Sequence, residues 1–307
     1  MSKALPAALR GMLWMAASGA LFAALNTLMK WLAHDLDPWV VGFLRYFFGF
    51  VVLLPIALRL GWGRMRTGAP GLQVLRALFH LGGLLLWFLA LPMVSMAEMT
   101  ALGFTGPIFM CLGAVLVLGE KMSATRWAAV FVGFIGALIV VHPWTAPGFS
   151  GVTWGNALLL LAAPTFAASF IVAKLLTRHD TSEAIVIWQH GLVALFAVPF
   201  ALWDWTTPST WQWGWFVLCG LLGAGGHYCV NQALRVADVS ATQPVRFLDL
   251  LWASLGGFIA FSAVPESWTV AGGVVIFSAT LWLARHEARI ARAAKAGAAA
   301  PRPAPAE

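Results

Sequence analysis

Two similar stretches, LFAALNTLMK (21–30) and TFAASFIVAK (165–174), reveal how this chain is organised. They align at a shift of 144 residues, and a shift of 143 continues the match further along the chain. Taken singly the matches are weak, but nearly equal shifts across most of the sequence indicate an internal repeat. The matched pairs are Phe22 with Phe166, Lys30 with Lys174, Arg45 with Gln189, Pro55 with Pro199, Gly82-Gly83 with Gly225-Gly226, and Ala90-Leu91 with Ala233-Leu234.

The composition places the repeat in a membrane. Of the 307 residues, 61% are hydrophobic and only 10% are charged, whereas soluble domains carry about 25% charged residues. The net charge of +7 would suit nucleic acid, but the cations collect at segment ends and form no basic patch with interleaved aromatics. We therefore expect the lipid bilayer, and no nucleic acid, as a partner.

Windows of about 20 apolar residues, the length that crosses the hydrocarbon core, predict an all-α integral membrane protein with ten transmembrane helices. The connections are too short to hold a soluble domain. The first window is too long for a signal peptide and has a counterpart later in the chain. The predicted spans lie near 9–32, 38–60, 72–94, 96–118, 124–142, 152–174, 182–203, 211–235, 239–264 and 267–285.

The distribution of positive charge predicts the orientation of these spans. With the N-terminus in the cytoplasm, 16 of the 19 Lys and Arg residues, Arg76 among them, fall in inner segments, and the outer loops contain none. This is the positive-inside pattern, and it predicts a multi-pass inner-membrane protein with both termini cytoplasmic. Lys30, Arg45 and Arg246 remain within the spans.

Five spans per repeat is an odd number, so the two halves must enter the membrane in opposite directions. Such inverted repeats typify transporters, whose substrate site lies near the bilayer midplane between the halves. The predicted divisions are residues 1–145 (spans one to five), 146–285 (spans six to ten) and a disordered, basic, Ala/Pro-rich cytoplasmic tail at 286–307.

The ninth span, SATQPVRFLDLLWASLGG (240–257), carries the most unusual residues. Arg246 and Asp249 each cost about 2.5–3.5 kcal/mol at the centre of a helix in the membrane, so they should face protein or water. They can simply pair with each other at this spacing, or they can line a central cavity. A helical wheel places Thr242, Gln243, Arg246, Asp249, Ala253 and Gly257 on one face, with Trp252 off it.

Further polar residues recur at similar depth. His80, His190, His227 and Arg246 each lie about 7–8 residues, or roughly 10–12 Å, from the inner ends of their spans. Any one histidine is explained equally well by packing, and Trp87 by contact with lipid. The predicted substrate-binding set is Arg246, Asp249, His80, Trp87, His227, Asn231 and Gln243, with an outer layer of Asn26, Arg45 and Glu98, the last also explained as an interfacial carboxylate.

Three segments carry a family resemblance: FLRYFFGFVVLLP (43–55), GEKMSATRWAAVFVGFIGALIVVHP (119–143) and PESWTVAGGVVIFSATLWLA (265–284). In these the chain resembles the EamA family of the drug/metabolite transporter superfamily over about residues 9–285. The resemblance implies a central cavity lined by spans 1–4 and 6–9, and carriage without ATP hydrolysis or a cofactor. LRALFHLGGLLLWFLAL (75–91) and VADVSATQPVRFLDLL (236–251) are similar to members that move S-adenosylmethionine, riboflavin or amino acids.

The chain departs from this pattern in two places. Glu266 lies three residues out of the register set by Glu120, and Gln189 stands where the first half has Arg45. Both departures weaken the symmetry of the repeat without changing the predicted fold.

Together these features predict a secondary active transporter of a small organic metabolite (an amino acid, a nucleoside or a cofactor-like molecule) that works by alternating access. Arg246 would bind a carboxylate or phosphate group, and Asp249 or a histidine would carry a coupling proton. An integral-membrane enzyme and a non-transporting sensor or scaffold are the alternatives, although no span contains the HExxH or DxxD pattern of a metal or acid site. A homodimer is left open.

Overall fold

The structure of the protein is a computed structural model that describes residues 5–32, 34–94, 96–143, 153–262 and 264–298. Every regular element in these ranges is a helix. Short 3₁₀ segments cover Trp62–Met65, Leu91–Met93 and Gln243–Leu248. The α-helices are α1 (Ala7–Leu32), α2 (Pro38–Leu60), α3 (Pro70–Ala90), α4 (Met96–Gly103), α5 (Gly106–Leu116), α6 (Ala124–Val141), α7 (Trp154–Leu176), α8 (Ser182–Trp203), α9 (Thr210–Val236), α10 (Val239–Thr242), α11 (Asp249–Phe261) and α12 (Ser267–Ala298).

The helices begin where the sequence supplies an acceptor for the free backbone N–H groups of the first turn. Asp37 accepts from the N–H of Trp39 at 2.8 Å at the start of α2. Ser123, Thr153 and Thr181 act in the same way at the starts of α6, α7 and α8. The predicted ends of these spans therefore agree with the structure to within a few residues.

Eight stretches within the described residues are long and apolar enough to cross a membrane. The predicted all-α membrane fold is confirmed at this level, while the count of ten spans stays a prediction. The eight are Ala7–Leu32, Pro38–Leu60, Pro70–Met93, Met99–Leu116, Ala124–Val141, Trp154–Leu176, Ser182–Trp203 and Ser267–Ala293. Polar residues such as His227 and Asn231 make α9 less apolar, and the ninth predicted span is broken into short pieces.

The breaks occur at prolines. Pro107 is the second residue of α5, which follows the end of α4 at Gly103, and Pro244 lies in the 3₁₀ segment between α10 and α11. Proline lacks an N–H and its ring clashes with the preceding turn, so it interrupts a continuous helix. The single helical face predicted for residues 242–257 is therefore wrong, because the side chains before and after the 3₁₀ segment do not follow one helical wheel.

Four long helix pairs build the bundle: α1 with α9, α3 with α7, α2 with α8, and α6 with α12. Each pair joins a helix from the first half of the chain to one from the second half. Glycines allow the closest approaches, since a Cβ at Gly83 would meet the ring of Phe166 at 2.8 Å and one at Gly226 would meet Phe22 at 2.8 Å.

Helices α6 and α12 pack closely through small residues. A Cβ at Gly136 would lie 2.8 Å from Ile276, and one at Gly272 would lie 2.5 Å from the carbonyl oxygen of Gly136. Gly133 instead makes room for Phe247 in the 3₁₀ segment. Gly136 and Gly272 therefore bring α12 close to α6, and Gly133 brings the broken span close to α6.

Helix α12 continues well past the predicted end of the last span, as far as Ala298. The prediction of disorder from residue 286 is therefore wrong for 286–298, whose Ala- and Arg-rich sequence has high helix propensity. The extension is anchored by Glu287, which accepts a hydrogen bond from Nε of Arg126 at 2.8 Å.

Candidate functional site

A buried cluster of aromatic polar side chains lies where α2, α3, α8 and α9 meet. Tyr46 Oη and His80 Nε2 are 2.5 Å apart and share a hydrogen bond. The ring centre of His227 lies 5.5 Å from that of His80 and 5.3 Å from that of His190. Three histidines predicted to share one depth are thus in mutual contact, and we call these four residues the histidine cluster.

Cations lie beside the histidine cluster on two sides. The guanidinium carbon of Arg45 lies 4.8 Å from the ring centre of Tyr46, within the range of a cation–π contact. Arg76 is 1% exposed and donates to the carbonyl of Ile185 at 3.1 Å. Arg76 was predicted in an inner segment, and it lies near the start of α3 with its side chain buried between α3 and α8.

Several buried polar atoms around this cluster have no hydrogen-bond partner in the part of the chain that the structure describes. Both ring nitrogens of His227 and both side-chain amide atoms of Asn231 and of Gln189 are in this state. Nε of Arg45 and Oε1 of Gln243 are as well. Because buried polar groups are normally paired, these atoms give the centre of the bundle a capacity to hydrogen-bond water or a polar solute.

Arg246 and Asp249 lie on the broken span. Arg246 Nε and Asp249 Oδ2 are 3.8 Å apart, and each side chain is about a quarter exposed, at 25% and 26%. Asp249 is the first residue of α11, where the helix dipole favours a negative charge. The protein therefore encloses the pair only in part.

The surroundings of the pair come from two other helices. The guanidinium carbon of Arg246 lies 5.1 Å from the ring centre of Phe170 on α7. Asp249 lies against α1 so closely that a Cβ at Gly19 would collide with its carboxylate. The ring of Phe170 is in turn 6.3 Å from that of His80, so Phe170 connects Arg246 to the histidine cluster.

Trp87 and Asn26 are not brought to the histidine cluster or to the Arg246–Asp249 pair, and Arg45 joins only the histidine cluster. Trp87 is half-buried, stacks edge-on with Phe88 at 5.4 Å and packs against the cluster of Ala90, Met99 and Leu159. Asn26 is exposed on α1. Arg45 reaches from α2 toward the sulfur of Met29 at 3.7 Å. The side chain of Glu98 lies outside the described residues.

Two large cavities open elsewhere on the bundle. One of about 740 Å³ lies between α2 and α8, lined by side chains such as Phe47 and Trp188. The other, of about 540 Å³, lies between α11 and α12. Neither cavity is lined by a predicted binding residue.

Sequence reasoning missed Tyr46, Phe170 and Trp252. The repeat could have pointed to Tyr46, because the shift of 144 aligns it with His190. Nothing in the sequence distinguishes Phe170 from the many other phenylalanines. Trp252 was assigned to the wrong face: it approaches Gly19 beside Asp249, and its ring N–H is buried. In the described residues, no group of three His, Cys, Asp or Glu side chains is arranged to hold a metal ion.

Comparison with known proteins agrees with this architecture. Residues 9–142 and 153–285 match the EamA-like transporter family. The chain is 34% identical over 288 residues to a riboflavin transporter of Rhizobium johnstonii, covering 91% of this chain and 92% of that protein. It is 29% identical over 287 residues to an S-adenosylmethionine uptake transporter of Rickettsia prowazekii, covering 94% and 96%.

More distant likenesses extend the comparison. A pseudopaline exporter of Pseudomonas aeruginosa is 27% identical over 265 residues, covering 86% of this chain and 92% of that protein. A solved crystal structure superposes with a TM-score of 0.74 at 18% identity, covering 92% of this chain and 97% of the other. At that identity the superposition shows a shared fold alone. The chain belongs to the EamA-like transporter family and is a multi-pass membrane transporter, not an enzyme.

Proposed function

We propose that this protein moves a small organic metabolite across the cell inner membrane by alternating access, with Arg246 and Asp249 forming part of the cargo site. The relatives carry riboflavin, S-adenosylmethionine or pseudopaline according to their names. These names support a cofactor-like, nucleoside or amino-acid cargo. The observation that carries the proposal is the position of Arg246 and Asp249: both interrupt an otherwise apolar span, and both are only partly enclosed where they contact Phe170 of α7 and Gly19 of α1.

The order of helix contacts supports two halves of opposite direction. Along α1 and α9, Gly11 approaches Ala237 while Trp31 contacts Trp211, so these helices run antiparallel. The repeat pairs Gly83 with Gly226 and Phe166 with Phe22, so it converts the contact of Gly83 with Phe166 into the contact of Gly226 with Phe22. A two-fold relation between halves of residues 1–145 and 146–285 accounts for both contacts at once, and alternating access then follows as one half rocks against the other.

The chemistry of the site suits a cargo with an anionic group and a planar ring. The guanidinium group of Arg246 presents several donors in one plane, which fit a carboxylate or phosphate. Phe170 beneath it offers an aromatic face, and the unpartnered amides of Gln189 and Asn231 offer hydrogen bonds deeper in the bundle. Asp249 or a member of the histidine cluster would carry a coupling proton.

The membrane arrangement belongs to the same proposal. The positive-inside pattern supports an inner-membrane protein with ten spans and both termini in the cytoplasm. The inner ends would then include the turn between α7 and α8, and the outer ends the turn between α1 and α2.

Transport by an Arg246→Ala variant tests the cargo site. Purified protein is first screened by thermal shift against riboflavin, S-adenosylmethionine, amino acids and nucleosides, and the best hit is then followed in proteoliposomes. We expect Arg246→Ala to lose at least about tenfold in transport, since a charged hydrogen bond is worth about 1.5–3 kcal/mol. Arg289→Ala, an exposed cation on α12, is the matched control. Full activity in an Arg246→Ala variant that inserts normally would remove Arg246 from the site.

A further inference from the structure

The predicted cytoplasmic ends of the two halves are joined by a buried carboxylate. Asp180 lies in the turn between α7 and α8 and is 5% exposed. Its Oδ2 accepts hydrogen bonds from Thr67 Oγ1 at 2.5 Å and from Gln73 Nε2 at 2.7 Å, and its Oδ1 accepts one from the backbone N–H of Gly68 at 2.7 Å. All three donors belong to the first half of the chain, whereas Asp180 belongs to the second.

The same loop of the first half is held by two more bonds. Thr181 Oγ1 donates to the carbonyl of Arg64 at 3.1 Å, and the ring N–H of Trp188 donates to the carbonyl of Met65 at 3.0 Å. The backbone of Asp180 is fixed from behind, because its carbonyl accepts a short hydrogen bond from Arg235 at the end of α9. The carboxylate is therefore held rigidly in position toward the first half.

In the described residues, the turn between α1 and α2 at the opposite end lacks this arrangement. The shift of 144 places Asp180 on Leu36, in the turn between α1 and α2. Between residues 34–37 and residues 204–209 the structure shows one hydrogen bond, from the N–H of Asp37 to Thr206 Oγ1 at 2.9 Å. The carboxylate of Asp35 pairs only with its exposed neighbour His34 in the described residues. The two corresponding turns therefore differ: a buried carboxylate with three hydrogen bonds joins the halves at one end, and a single hydrogen bond joins these turns at the other.

We propose that Asp180 is the latch of a cytoplasmic gate, holding residues 67–73 against the turn between α7 and α8 until cargo transport opens it. The inference rests on the proposed alternating access and adds the positioning residue that favours the inward-closed state. Hydrogen bonds to a carboxylate are shorter and stronger than those between neutral groups. On opening, cytosolic water replaces the three donors, so the latch biases the equilibrium without making it irreversible.

A second carboxylate also links the two halves by hydrogen bonds at the predicted cytoplasmic end. The carboxylate of Glu120 accepts from the backbone N–H groups of Val239 and Ser240 at 2.8 and 3.0 Å. It joins the end of the α5 segment to the start of α10, and so again one half to the other. Substitution of Asp180 is nevertheless the better test, because its three hydrogen bonds all reach residues 67–73 and one substitution removes them together.

Distances between spin labels test the latch without any cargo. Labels at Gly63→Cys and His179→Cys report the inner end, and labels at His34→Cys and Thr207→Cys report the outer end. All four positions are exposed. The full chain is reconstituted in nanodiscs, with the three buried cysteines replaced by alanine. In Asp180→Ala we expect the ratio of long to short inner distances to rise about ten- to a hundredfold, because three bonds to a charged group are lost from the closed state alone. The outer distances should shift the opposite way, toward shorter values, because in alternating access one end closes as the other opens.

Two further variants make the result specific. Asp180→Asn keeps an acceptor for the N–H of Gly68 and should give an intermediate inner distribution. Asp35→Ala removes an exposed carboxylate from the corresponding outer turn and should change neither distribution. Unchanged inner distances in a folded Asp180→Ala protein would overturn the latch, and so would equal broadening at both ends, which indicates general loosening. Absence of transport for every cargo would reject the proposed function while leaving the distance result interpretable.

Discussion

The ion pair between Arg126 and Glu287 offers a quantitative test of how the α12 extension is held. The Nε–Oε1 distance is 2.8 Å, and the side chains are 14% and 9% exposed. Arg126 has two further partners, Asp238 at 3.1 Å and Ser240 at 2.9 Å. Removing one partner of a buried pair leaves the other charge uncompensated, at a cost of about 3–5 kcal/mol.

The two single substitutions should therefore differ. We expect Arg126→Met to lower the free energy of unfolding by about 3 kcal/mol, because Glu287 is left buried without a partner. Glu287→Met should cost only about 1–2 kcal/mol, since Arg126 keeps Asp238 and Ser240 and a lost hydrogen bond to a charged group is of this order. The double variant should cost less than the sum by at least about 1 kcal/mol, as for residues in contact.

Unfolding of the purified protein in mixed micelles titrated with sodium dodecyl sulfate measures these free energies. Arg289→Met, an exposed cation on the same helix, serves as control and should stay within about 0.5 kcal/mol of the parent. The reasoning is refuted if the two single effects add to within about 0.5 kcal/mol in the double variant, because the pair would then contribute no coupling.

Two other predictions concern packing within the bundle. Tyr46→Phe should lower the free energy of unfolding by about 1–3 kcal/mol, because His80 Nε2 loses its partner at 2.5 Å inside the protein; an unchanged thermal midpoint would show that the bond is not needed. Gly272→Ala should cost about 1–3 kcal/mol by overpacking, since its Cβ would lie 2.5 Å from the carbonyl oxygen of Gly136. Gly214→Ala is the matched control in the same assay: no atom would lie within 4 Å of its Cβ, so it should be neutral or stabilising by up to about 1 kcal/mol. Equal effects of the two alanines would contradict the close approach of α6 and α12.

The sequence predicted the features that depend on regular helical geometry. Counting residues from the span ends placed His80, His190 and His227 at one depth, and their rings are in contact. This works because the rise per residue is nearly constant in a helix.

Features that depend on interrupted geometry could not be predicted in the same way. The wheel drawn through residues 242–257 assumed 3.6 residues per turn, whereas the chain forms a 3₁₀ segment around Pro244. Trp252 and Asp249 both follow that segment in α11, where residues three apart are neighbours, so they approach Gly19 together. The rotation of each helix about its own axis also depends on the helices packed against it. The contact between Arg246 and Phe170 could therefore not be predicted from the sequence of either segment alone.

The continuation of α12 was missed for a different reason. Composition favoured disorder after residue 285, while local helix propensity and one long-range pair favoured a helix. The pair of Arg126 and Glu287 joins residues 161 positions apart. No local pattern could have chosen between these possibilities.

The polar content of α9 and the interruption of the broken span have a consequence for how the protein is made. These two segments follow each other in the chain, and neither is among the eight candidate membrane stretches: α9 is not apolar enough, and the helices of the broken span are too short to cross alone. The insertion machinery would release them into the bilayer poorly on their own, but α1 and α2 are synthesised earlier and offer them surfaces on which to pack. We therefore expect their integration to be late, joint and dependent on the N-terminal helices, so that a chain lacking α1 would leave α9 through α11 outside the membrane.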